Sequence, residues 1–76
     1  MFNKKEMCKE IGNWFGDFFE EEGKLCIDNG EEIFRYNTED ELLADWLVTL
    51  VESDKATGED AWKDMIAFIE TEIVNK

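Results

Sequence analysis

Ile11-Gly-Asn-Trp-Phe-Gly-Asp-Phe-Phe-Glu-Glu-Glu-Gly23 puts four aromatics, two interior glycines and a glutamate triplet into one short stretch, and its period decides the fold. At 100° per residue, Met7, Cys8, Ile11, Trp14, Phe15, Phe18 and Phe19 fall within an arc of about 140°. That spacing predicts one helix from about Lys4 to Glu22. Asn3 and Glu6 form its capping box, Phe2 and Met7 stand at hydrophobic-staple spacing, and Gly23 is the stop. Its aromatics then read as core residues. Gly12 and Gly16 lie at the border of the apolar arc. Two helix-interior glycines cost about 2 kcal/mol relative to alanine, so they imply a close neighbour, either a strand or helix of the same chain or a second subunit.

Downstream, Leu25 to Tyr36 reads as a two-stranded hairpin turning at Asn29-Gly30, a dipeptide suited to positive φ. A two-residue loop pairs Ile27 with Glu32 and Leu25 with Phe34; a three-residue loop pairs Leu25 with Ile33. The sequence leaves both open. Thr38-Glu-Asp-Glu41 is a capping box that opens a second helix, about Glu39 to Glu52, with Leu42, Leu43, Trp46, Leu47, Leu50 and Val51 over half its circumference. Ala44 and Val48 flank one edge of that face and Leu42 the other, and part of this margin is a candidate interface. Ser53 to Gly58 reads as a loop. Thr57 with Asp60 then caps a third helix, about Glu59 to Asn75, whose apolar face is Ala61, Trp62, Met65, Ile66, Phe68, Ile69 and Ile73. The expected fold is a single α+β domain in the order α-β-β-α-α, three helices sharing a core with a two-stranded antiparallel ribbon.

Twenty acidic residues against eight basic ones give 76 residues a net charge of −12, and 43 % of the chain is apolar. The charge is concentrated: residues 1–12 carry +1 and residues 13–60 carry −12. Such a field repels phosphate backbones and anionic membranes, so direct nucleic-acid binding is excluded and a basic protein partner is favoured. The longest apolar run, Trp46 to Val51, is far short of a membrane span. Met1-Phe-Asn-Lys-Lys5 leads into no secretory h-region, and Cys8 and Cys26 are too few for a disulfide framework. Two reduced thiols and a cytoplasmic location are expected.

No catalytic or metal pattern stands out. Histidine is absent, which removes Ser-His, Cys-His and the usual zinc arrangements. Ser53 is the sole serine and has no nucleophile-elbow frame. Asp28-Asn-Gly-Glu-Glu32 lacks the alternating ligands and twelfth-position glutamate of a calcium loop. Neither an enzyme nor a cofactor is expected.

The acids at the starts of the second and third helices suit the helix dipole, but the first helix inverts the rule. Lys4 and Lys5 sit at its positive end, and Glu20, Glu21 and Glu22 at its expected negative end. Two readings follow. Helix 1 packs antiparallel on its own copy, so that lysines about 26 Å from the glutamates meet them twice in a homodimer. Alternatively the triplet joins Asp17, Glu31 and Glu32 in one acidic patch that docks a basic partner, as a decoy for a nucleic-acid-binding groove. The leading expectation is a non-catalytic, self-associating protein-interaction module.

Ile27-Asp-Asn-Gly-Glu-Glu-Ile-Phe-Arg-Tyr-Asn-Thr-Glu-Asp-Glu-Leu-Leu-Ala-Asp-Trp46, a short hairpin running into a capped helix, resembles the small acidic accessory proteins of bacterial conjugative transposons and phages. The resemblance implies a setting, and no activity or site residue.

Overall fold

The computed structural model describes residues 3–57 and 62–75. Helix α1 spans Lys4–Phe15, followed by strands β1 (Asp17–Glu21), β2 (Lys24–Asp28) and β3 (Ile33–Tyr36). Helix α2 spans Glu39–Thr57 and α3 spans Lys63–Ile69, which runs on into a π-helical turn at Glu70–Val74. The class is α+β with three helices, but the order is α-β-β-β-α-α and the sheet is a three-stranded antiparallel meander, β1-β2-β3.

The difference originates at Gly16. As expected, Asn3 caps α1, its side-chain oxygen accepting the Glu6 N–H at 3.1 Å. The helix ends at Phe15, not Glu22. Gly16 is extended, and the Asn13 side chain accepts the Phe18 N–H at 3.2 Å, tying the start of β1 back to the last turn. Residues 17–21 then alternate as a strand: Phe18 joins the core and Phe19 points to the opposite face. Two adjacent aromatics satisfy either period, and Phe favours the pleated surface. Glu22 and Gly23, at φ +53° and +79°, form the two-residue turn that pairs Glu21 with Lys24. Gly23 is therefore a hairpin residue and not a helix stop.

The β2–β3 register matches neither expected loop length. Leu25 pairs with Tyr36 and Ile27 with Phe34, leaving a four-residue loop of Asn29 to Glu32. Side-chain caps account for the extra length. Asn29 Oδ1 accepts the N–H groups of Glu31 and Glu32, both at 2.9 Å, and Asp28 Oδ1 accepts that of Gly30 at 2.8 Å. Ile27 and Phe34 thereby lie beside Phe18 on the inner face.

Thr38 caps α2 as expected, accepting the Glu41 N–H at 3.2 Å. The helix runs past Glu52 to Thr57, so residues 53–57, expected as loop, are helical. No glycine or proline stands before Gly58 to stop it. Helix α3 begins at Lys63 among the described residues; Phe2 of the staple, and Gly58, Glu59, Asp60 and Ala61 of the expected loop and third-helix start, lie outside them.

The core fills the space between the helices and the inner face of the sheet. Ile11, Ile27, Leu42, Leu43, Leu50 and Ile69 are fully buried. Leu42 is thus interior, not an interface margin. The outer sheet face carries Phe19, Cys26 and Arg35 in register, with Ile33 exposed at one corner. No helix among the described residues is long and apolar enough to cross a membrane.

Candidate interaction surface

Helix α1 presents its two lysine neighbours to other elements rather than to its own dipole. Lys4 Nζ lies 2.8 Å from the Asp40 carboxylate at the start of α2, and Lys5 Nζ lies 2.6 Å from Glu20 on β1. Hydrogen bonds to those carboxylates raise both lysine pKa values. Lys9 pairs more loosely with Glu6, at 3.8 Å. Of the charges that looked inverted on α1, Lys4, Lys5 and Glu20 are therefore in tertiary pairs. Because α1 stops at Phe15, the glutamates do not sit at its C-terminus, and the antiparallel twofold contact between helix copies loses its geometry.

The single acidic patch does not form either. Glu20, Glu21 and Glu22 lie at the β1–β2 turn, whereas Asp17 faces Asp28 at the opposite end of the sheet, beside the loop with Glu31 and Glu32. Along β1, Asp17 stands three residues from Glu20 and four from Glu21, about 10 and 13 Å. Asp17 opposite Asp28 is a like-charge cross-strand pair, which is locally unfavourable.

Gly12 and Gly16 mark where the strands cross the helix. A Cβ at Gly12 would come within 2.7 Å of Phe18 Cβ, and one at Gly16 would overlap the Asp28 carbonyl. Both spaces are filled from within the chain. Val48 is 65 % exposed on the outer side of α2, and Ala44 is exposed as well.

Trp14 departs most from its expected core role. It is 61 % exposed. Phe15, Phe18 and Phe19 are only half-buried, the last two on β1. Trp14 ends a chain of rings that begins inside: Phe34 meets Trp46 at 5.6 Å, Trp46 meets Phe15 at 5.3 Å, Phe15 stacks with Trp62 at 6.4 Å, and Trp62 meets Trp14 edge-on at 5.4 Å. A shallow, open depression of about 460 Å³ beside Trp14 is lined by Glu6, Lys9, Glu10 and Asn13. Helical projection placed Trp14 within the apolar arc but at its edge, outside the sector of the buried Met7, Cys8, Ile11 and Gly12, and the ring stays largely in solvent.

Chemically reactive groups are quiet. Both cysteines are free and fully buried. Burial, with Glu39 and Asp40 nearby, pushes the Cys8 thiol up to about 12, so it carries no thiolate at neutral pH. Among the described residues no group of His, Cys, Asp and Glu is placed to hold a metal ion. Comparison with protein-family models, with curated proteins and with solved structures finds no match, and the functional reading rests on the chain's own residues.

Proposed function

We propose that the chain is a non-catalytic protein-interaction module that engages a basic protein surface. The carrying observation is the unneutralised acid. Against a net charge of −12, only Glu6, Glu20 and Asp40 form ion pairs among the described residues. A fold needs some charged surface for solubility, but self-repulsion at this level works against the compact state. A partner of opposite sign relieves it.

Occupation of a nucleic-acid-binding groove is the specific form this takes. Duplex DNA carries one charge per roughly 1.7 Å, or about 19 over the 33 Å long axis of this domain, and the chain's net charge of −12 is about two-thirds of that. Self-association through Val48 and its neighbours is the second reading, favoured by the exposure of that side chain. The two respond oppositely to salt. Docking to a basic surface weakens as ionic strength rises, while contact between two acidic copies strengthens as their repulsion is screened. Sedimentation at 50 and 500 mM salt, alone and with a basic DNA-binding domain, separates them. A mass that doubles only at high salt, with no complex at low salt, overturns the primary reading.

A further inference from the structure

Resting on the basic-partner reading, we infer that the partner docks on the Glu6–Glu10–Trp14 stripe of α1, with an arginine side chain seated against the Trp14 indole and neighbouring cations on the two carboxylates. Positions 6, 10 and 14 follow at i, i+4 and i+8, so they share one helix face at steps of about 6 Å. Glu6 and Glu10 are like charges one turn apart, which weakens a helix. Trp14 leaves most of an indole in water at the end of that stripe. Glu6 also serves α1, in its first turn beside the Asn3 cap and in loose contact with Lys9, but neither Glu10 nor the exposed Trp14 ring does, and all three line one open depression.

The chemistry of that depression selects a cation. An indole face attracts cations more strongly than any other side-chain ring, and guanidinium also stacks on it. Carboxylates beside the ring accept the remaining guanidinium N–H groups or a second cation. Trp62 holds the Trp14 ring from one side, and Phe15 and Trp46 anchor Trp62 to the core. The platform is thus held before binding, which lowers the ordering cost of association. Lys9 also lines the depression and bears the wrong charge for such an occupant; its loose contact with Glu6 is one that an incoming arginine displaces. Steps of 6 Å match alternate residues of an extended segment.

The test uses a fluorescently labelled peptide of alternating arginine and serine, titrated by anisotropy at 50 mM salt against the full chain and its variants. Trp14→Ala should weaken binding about 5- to 10-fold. Glu10→Gln should weaken it more than Glu22→Gln, which removes the same charge from the far turn. Lys9→Gln should strengthen binding more than Lys55→Gln does. The glutamine variants alter only solvated surface, so the comparison stands even if Trp14→Ala loosens the fold. Equal effects within each matched pair would mean diffuse attraction and overturn this site while leaving the basic-partner reading intact. Wild-type binding no tighter than that of an alternating glutamate–serine peptide would remove both.

Discussion

Gly16 stands where no side chain fits, because its Cβ direction is occupied by the Asp28 backbone carbonyl. Gly16→Ala should cost about 3 kcal/mol in urea denaturation, since a backbone carbonyl cannot rotate away. Gly12→Ala meets a side-chain root instead and regains about 1 kcal/mol of helix propensity, so its net loss should be smaller. That these glycines admit a close neighbour was legible from their cost in a helix; which of strand, helix or second subunit supplies it was left open. Cys8 supplies a second residue-scale expectation. Burial raises its pKa from 9.0 to about 12, so the folded state holds a proton that the unfolded thiol loses. Its contribution to stability is complete below pH 9 and is lost as pH rises towards 12. Cys8→Ala should therefore flatten the alkaline side of the stability profile, measured by denaturation at stepped pH.

At the scale of elements, the capped helices were readable because their signals are local: Asn3 and Thr38 each bind a backbone N–H three residues on. Strand β1 was hidden for a physical reason. Phe18 and Phe19 complete a helical arc with Trp14 and Phe15, yet as neighbours they equally serve the two faces of a strand. The turn that closes it, Glu22-Gly23, puts a glutamate at φ +53° where asparagine or glycine is the usual signal. Glu22→Asn should accordingly stabilise the fold by about 1 kcal/mol, measured by thermal or urea unfolding. A destabilised Glu22→Asn would argue against the hairpin. Strand β3 is tied to α2 through one polar relay. Trp46 Nε1–H donates to the Tyr36 hydroxyl at 2.9 Å, which donates to Asp45 at 2.5 Å. Desolvation and the Asp45 contact raise the Tyr36 pKa. Tyr36→Phe leaves the Trp46 donor without its acceptor and should cost about 1–2 kcal/mol.

For the whole molecule, the charge balance was fully legible and its arrangement was not. The sequence pointed to an acidic surface, with self-association as the leading expectation and a basic partner as the alternative, but it merged Glu20, Glu21 and Glu22 with Asp17, Glu31 and Glu32, which the three-stranded register sets at opposite ends of the sheet. A single expected helix made them look contiguous. The same register assigns Glu20 to Lys5 and removes the geometric argument for pairing helix copies. What remains is an acidic domain, 33 × 27 × 18 Å, with the large Trp14 ring turned outward beside two carboxylates. The central claim is that its partner is recognised by positive charge. Affinity capture on the immobilised chain at 50 and 500 mM salt, against an unrelated protein of equal net charge, addresses it most directly. The account predicts basic proteins enriched over that control at low salt and released at high salt. Retention at 500 mM salt of neutral or acidic proteins, or of a second copy of the chain alone, would contradict it.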